Sequence, residues 1–309
     1  MLGPVLLAAS RSDRLRRVVA GAPVTRPVVN RFVAGDALRP AMDTVRALTA
    51  GGLDVTLDHL GEDVTDRATA RAARDAYLRL LDALGEARLG DRAEVSVKLS
   101  AFGQALPDGG HDVALANVLE VAGLATATGT TVTLDMEDHT TVDSTLAVLH
   151  ELRRDHPRTG AVLQSYLFRT EDDARALAVA GSRVRLVKGA YQEPARVAFQ
   201  DRRAVDRAYV RALRTLFAGE GYPMVGSHDP RMIAIAQDFA ARNHRAAGTY
   251  EFQMLYGIRT AEQRRLADEG ERMRVYVPYG ADWYGYFMRR LAERPANLTF
   301  FLRSFAPSR

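Results

Sequence analysis

The chain has 309 residues, 47% of them hydrophobic and 26% charged, an ordinary balance for a globular enzyme able to bury a large core. It contains no cysteine, which excludes disulfides, thiolate metal sites, iron–sulfur clusters and a cysteine nucleophile. The net charge of +4 comes mainly from arginines interspersed with acids, and without a basic tract or an aromatic–basic signature nucleic acid is not an expected partner.

Met1–Ser10 is apolar but short, with neither a basic leader nor a clear cleavage site, so no signal peptide is expected. No apolar run approaches the roughly 18–20 residues needed to span a bilayer. Residues 1–50 read as an N-terminal arm of two or three helices, broken at Gly21–Pro23 and Gly35–Pro40. Val5–Ala20 combines apolar positions with Arg11, Arg14, Arg16 and Arg17. That pattern suits a helix packed on the protein with a solvated basic face, and equally one lying on a membrane surface.

Beyond the arm, short runs rich in Val, Leu and Thr alternate with longer Ala/Arg/Leu stretches. The strand-like runs are Leu53–Asp58, Glu94–Leu99, Thr131–Asp135, Ala161–Ser165, Arg183–Lys188, Pro223–Ser227, Thr249–Gln253 and Met273–Val277. The intervening segments read as helices: Arg67–Leu84 has no Gly or Pro, Thr170–Ala180 has acids in its first turn, and Val205–Phe217 has a helical period. Repeated strand–helix units build a parallel sheet, and eight of them in roughly 250 residues is the count of a closed barrel. The expected fold is therefore α/β, a (β/α)8 TIM-type barrel over 51–309 preceded by the helical arm.

A barrel enzyme works at the C-terminal ends of its strands, and here those ends are polar. They carry Lys98, then Asp135 followed by Glu137, Asp138 and His139, then Gln164, Arg185, Lys188, Tyr191, Ser227, His228, Asp229, Glu251, Gln253, Tyr276 and Tyr279. By alternation Ser96 and Lys98 share one face of their strand, as do Thr133 and Asp135 of the next. Lys98 and Asp135 could thus pair inside the barrel, where an unpaired charge is costly.

The last helix separates two stripes. Tyr284, Phe287, Met288 and Leu291 form an apolar one that should pack on the barrel or on a neighbouring helix. Tyr286, Arg289, Arg290 and Glu293 form a polar one at i, i+3, i+4 and i+7. Adjacent guanidiniums suit a carboxylate, although a solvated face with a Glu–Arg pair has the same pattern. No G-x-G-x-x-G follows a strand, no Walker A loop or G-x-S-x-G elbow occurs, and the seven histidines lack metal-ligand spacing. The residues by themselves point to a barrel enzyme for a small anionic substrate, with a basic and amide-rich lining that also suits a phosphorylated cofactor.

The segments SVKLSAFG, TLDMEDHT, VLQSYL, RLVKGAY, SHD, YEFQMLYGIR and YVPYGADWYGYFMRRLAERPAN occur in that order, each at an expected strand end. Together, over residues 53–305 or so, they resemble the proline dehydrogenase family in its short monofunctional bacterial form. The resemblance implies non-covalent FAD, held without a Rossmann domain. It implies oxidation of L-proline to Δ1-pyrroline-5-carboxylate by hydride transfer to flavin N5, with electrons passing to a membrane quinone. It further implies a cytoplasmic protein with an option of peripheral membrane contact, and a separate enzyme to oxidise the pyrroline product.

Carried over by motif, Arg289 and Arg290 would hold the proline carboxylate, and Tyr191, Leu255, Tyr276 and Tyr286 would wall its ring. Lys98, paired with Asp135, would lie beside the substrate. Arg185 would approach N5, and Gln164, Val187, Lys188 and Gly189 would contact the flavin or its ribityl chain. Ser227, His228 and Gln253 would bind other parts of FAD, and Glu293 its adenosine end or the neighbouring Arg. Ser227 stands where the family often has Thr, and residues 1–50 match only loosely. No residue stands out as the proton acceptor.

Other readings are a dehydrogenase for hydroxyproline or a related cyclic amino acid, a catalytically silent barrel that only binds, and a metal-dependent hydrolase. The bulk of Tyr276 disfavours the first. The intact set of Arg289, Arg290, Lys98, Asp135 and Arg185 disfavours the second, and the histidine spacing the third.

Overall fold

The computed structural model describes residues 26–62 and 64–293, apart from the side chains of Pro27, Ala292 and Glu293. The expected basic helix at Val5–Ala20 lies outside the described residues.

Eight strands form one closed, all-parallel ring: β1 (Asp54–His59), β2 (Ala93–Val97), β3 (Thr131–Leu134), β4 (Gly160–Gln164), β5 (Arg183–Val187), β6 (Tyr222–Gly226), β7 (Glu251–Leu255) and β8 (Met273–Tyr279). Each pairs with its neighbours in sequence, and β1 closes on β8 with Asp58 opposite Pro278. All eight expected strands are present, with ends shifted by at most two residues.

The outward positions Val55, Leu57, Val95, Val97, Val132, Leu134, Val184 and Leu186 are buried beneath the helices, forming one continuous core. Those helices are α1 (Arg26–Asn30), α2 (Leu38–Ala50), α3 (Arg67–Glu86), α4 (Gly110–Ala127), α5 (Val142–Asp155), α6 (Thr170–Leu177), α7 (Arg202–Ala218), α8 (Pro230–Arg242), α9 (Thr260–Asp268) and α10 (Trp283–Glu293). Local sequence sets several starts. Asp66 caps α3 by accepting from the amides of Ala68 and Thr69, each at 2.8 Å. Helix α6 stops at Leu177 rather than Ala180, and the hydroxyl of Thr170 is spent on the Gln164 carbonyl instead of capping the helix.

Two features position the site. Ala41, Met42 and Val45 of α2 join the main core. Helix α10 instead buries Tyr284, Phe287, Met288 and Leu291 against Val28, Val29, Phe32 and Val33, together with Leu60 from the end of β1. The apolar stripe thus rests on α1 and the turn after it.

The inside of the barrel is filled with charge rather than branched aliphatic side chains. At its N-terminal end Glu94 is fully buried and takes Arg183 at 2.7 Å, Arg185 at 3.1 Å, Thr56 at 2.9 Å and Thr131 at 3.3 Å. Arg274, 1% exposed, grips both oxygens of Glu251 at 2.8 and 3.1 Å and also donates to the Val55 carbonyl at 2.9 Å. Burial would push the Glu94 carboxyl up, but Arg183, Arg274 and Arg185 override it and hold the group far below the usual carboxylate range. Glu251 is lowered by the same balance, with Arg274 its main partner.

Candidate active site

The C-terminal mouth of the barrel gathers the sequence-derived candidates into two groups. The first surrounds Asp135, just past β3. Its carboxylate accepts from Arg185 at 2.6 Å, Ser96 at 2.7 Å and the Tyr276 hydroxyl at 2.7 Å. The Arg185 guanidinium lies 5.4 Å from the centroid of the Tyr276 ring and reaches Ser96, Glu94 and the Gln253 side-chain oxygen as well. Arg185 is therefore locked by ion pairs and hydrogen bonds from β2, β3 and β7, and a guanidinium fixed in this way keeps its charge in place at no further ordering cost.

Lys98 does not pair with Asp135 as expected. Its ammonium sits 2.7 Å from Asp58 and 3.9 Å from Glu62. Burial alone would lower the Lys98 pKa; the carboxylates of Asp58, Asp135 and Glu62 outweigh it and hold it above its usual value. The different partner comes from the strand on the other side. β2 has two neighbours, and Asp58 on β1 points inward at the height of Lys98, while Asp135 is saturated from across the barrel by Arg185 and Tyr276.

The second group closes over the mouth. Arg289 of α10 donates to Glu62, on the loop after β1, at 2.8 Å. Arg290 stacks on Tyr286, with its guanidinium carbon 5.1 Å from the ring centroid. The two arginines hence diverge in this structure, one toward a loop carboxylate and one along its own helix. Tyr286 is itself buried in the α10 cluster. Tyr191, on the loop after β5, is 37% exposed, yet burial and then Glu137 and Glu62 raise its phenol above the usual value while Lys98 and Arg289 oppose them. That set of neighbours places its ring in the same mouth. Leu255 ends β7, where its amide donates to His228 Nε2 at 2.9 Å.

The remaining candidates line the ends of β4 to β7. Gln164 donates to the Glu137 carbonyl at 2.7 Å and accepts from Tyr166. Lys188 bridges Asp206 at 2.5 Å and Asp229 at 3.0 Å. Val187 ends β5 and Gly189 follows with φ +117°, a conformation in which the ring of Tyr166 occupies the space a Cβ would need. Ser227 Oγ accepts from the Asp229 amide at 3.1 Å. Gln253 is engaged at both ends, by Arg185 and by Glu251. Glu293 ends α10, and its side chain is outside the described residues.

Sequence reading passed over Asp58 and Glu62 and gave Glu137 no role. Asp58 was accessible to it, since alternation puts Asp54, Thr56 and Asp58 on one face of β1. Glu62 lies on a loop without a period. Glu137 continues the inward face of β3 one step past Asp135, and both its oxygens accept from Ser100, from the amide at 3.0 Å and the hydroxyl at 2.6 Å. Burial nevertheless pushes it up to about 7.

The chain matches the family model described as proline dehydrogenase over residues 41–303. It is 39% identical over 303 residues to "Proline dehydrogenase 1" of Bacillus subtilis, covering 98% of each chain. It is 41% identical over 277 residues to "Proline dehydrogenase" of Deinococcus radiodurans, covering 88% of each. Its fold is similar to proline utilization A (PutA) from Bdellovibrio bacteriovorus inactivated by N-propargylglycine, with a TM-score of 0.81 at 25% identity. That match covers 91% of this chain but only 34% of the other, so this chain spans about a third of that protein's length.

Proposed function

Because the chain belongs to the proline dehydrogenase family, we propose that it oxidises L-proline to Δ1-pyrroline-5-carboxylate with non-covalently bound FAD, passing the electrons to a membrane quinone. The observation that carries this reading is the Arg289–Glu62 contact at 2.8 Å over the barrel mouth. It sets a guanidinium against a carboxylate beside Lys98 and Tyr191, and the carboxylate of a small amino acid could take the place of Glu62. Arg290 lies one residue on and would supply the second guanidinium after leaving the Tyr286 face.

The donors at the ends of β4 to β7 fit the flat, hydrogen-bonding and anionic parts of FAD. Lys188 engages two of its three ammonium hydrogens in ion pairs, and the Ser227 hydroxyl, used as an acceptor by Asp229, can donate outward. Gln164, Val187, Gly189, His228 and Gln253 complete that rim, and Glu293 would meet the adenosine end or Arg290. Bound there, FAD supplies the hydride acceptor that the reaction needs.

The chain's own residues do the rest. Arg289 and Arg290 orient the substrate by its carboxylate, and Tyr276, Tyr191, Tyr286 and Leu255 confine the ring. Arg185, pinned by Asp135, Glu94 and Gln253, keeps a fixed positive charge where negative charge accumulates on a reduced cofactor. Lys98, held by Asp58, adds a second cation near the carboxylate. Quinone as acceptor and peripheral membrane contact rest on family resemblance; among the described residues no helix is long and apolar enough to cross a membrane.

The test is the visible spectrum of the purified protein before and after anaerobic L-proline. A flavin spectrum bleached by L-proline and not by D-proline is the expected result. A flavin spectrum that responds only to hydroxyproline would reassign the substrate, and a protein that FAD cannot reconstitute would overturn the reading.

A further inference from the structure

The motif that ends Asp135–Glu137–Asp138–His139 has a member, His139, that the site above does not use. Its amide donates to one oxygen of Glu193 at 2.9 Å, and its ring Nδ1 bonds the other. His139 is itself fixed by an Asx turn, in which Asp138 accepts from the Thr140 amide at 2.8 Å just before α5. Glu193 comes from far along the chain, on the loop between β5 and α7. It is 7% exposed, the one buried acid among the residues of that loop.

The same loop carries Tyr191, two residues earlier. Its two ends are stitched to the loop after β4: Tyr166 donates its amide to the Lys188 carbonyl at 3.0 Å, and Phe199 donates to the Tyr166 carbonyl at 2.8 Å. Between those stitches the Tyr166 hydroxyl is the inner post. The Tyr191 backbone lies near it, and it donates to Gln164 at 3.1 Å and lies 3.5 Å from Glu193. A buried carboxylate needs such partners, because losing one leaves an uncompensated charge. Tyr191 itself is more than a third exposed.

We infer that Glu193 is a positioning residue, which clasps His139 and Tyr166 and thereby holds Tyr191 against the substrate. The inference rests on the assignment of Tyr191 to the substrate wall. Glu193 touches no reacting atom and acts only through the loop.

The test compares the FAD-loaded enzyme with Glu193→Gln, Tyr191→Ala and the double variant. Glu193→Gln keeps the shape and loses the charge. It should raise the KM for proline roughly five- to tenfold, about the net strength of one ordinary hydrogen bond, and more than it lowers kcat. Trypsin should cut after the exposed Arg196 faster than in the parent. In the Tyr191→Ala background the same substitution should add almost nothing to KM, the non-additivity of residues acting as one unit. His139→Asn, which removes a partly exposed ring, carries the same cycle should Glu193→Gln fold poorly. An unchanged KM in Glu193→Gln beside a raised KM in Tyr191→Ala would overturn the clasp alone, and so would an equal rise in both backgrounds. An unchanged KM in Tyr191→Ala would remove the substrate-wall assignment and the clasp with it.

Discussion

The two ends of this barrel both carry charge and use it differently. At the N-terminal end Glu94, Arg183, Glu251 and Arg274 are buried, and their partners are mostly other strand residues or strand carbonyls, with Arg274 also reaching the Asp91 and Arg92 carbonyls just before β2. At the C-terminal end Lys98 and Arg289 meet Glu62 on a loop, and Arg289 is 34% exposed. A charge whose partners are fixed in the sheet stays where it is, whether it only holds the sheet together or, like Arg185, also presents a fixed charge at the mouth. A charge whose partner sits on a loop can exchange it for a ligand. The contrast separates arginines that keep their partners from arginines that can exchange them.

Breaking the lower network should have the largest effect. Glu94→Ala leaves Arg183 with an uncompensated buried charge and takes from Arg185 one of its two carboxylate partners, and should cost about 3–5 kcal/mol in denaturant unfolding. A loss under 1 kcal/mol would mean that water or rearrangement replaces the carboxylate and that the lower network is not rigid.

Glu137 comes next, because it marks the border between the two regimes. Its folded pKa is raised from an ordinary carboxylate value to about 7, so the protonated form is the one the fold favours. The associated stability is complete below the unfolded pKa and disappears as pH rises through about 7, a term of up to about 3 kcal/mol. Glu137→Gln cannot ionise. Its melting temperature minus that of the parent should therefore grow between pH 5 and pH 8, and a constant difference would show that the carboxyl does not titrate in that window.

Arg289→Ala tests the upper end. It should raise the proline KM roughly a hundredfold, the loss of one charge-assisted clamp, with FAD loading and melting temperature nearly unchanged. A large drop in stability would place Arg289 with the structural arginines instead. The smallest effect is expected for Glu62→Gln. A partly exposed ion pair of this kind is worth about 1 kcal/mol at most, so freeing Arg289 from its resident carboxylate should lower KM by up to about fivefold. A rise in KM would make Glu62 a contributor to substrate binding rather than its competitor.

The fold was legible because outward Val and Leu alternate with inward polar residues in nearly every strand, and the inward set turned out to be the charge network itself. Less of the pairing was legible. Lys98 was assigned to Asp135 because β2 and β3 are sequential, although β1 is just as much a sequential neighbour and offers Asp58. Across a barrel, interior charges reach partners two or more strands away, as Arg185 does to Asp135 and Gln253. No spacing in the chain encodes such a contact. The Arg289–Arg290 stripe could be read from helical period, but Glu62, which faces it, lies 227 residues away. His139 was noticed as a polar strand-end residue, while its tie to Glu193 depends on two loops that no period connects.

The seat of α10 also bears on the order in which the molecule comes together. The apolar surface that receives it is Val28, Val29, Phe32 and Val33, so the cradle leaves the ribosome well before the helix that fills it. During synthesis those side chains must find temporary cover or remain wet until residues 283–291 arrive, a window in which exposed apolar surface invites association between nascent chains. Substitutions at Phe32 that ease this wait would act on yield, while those that tilt its contact with Phe287, 6.3 Å away between ring centroids, would tune the arginines from beneath.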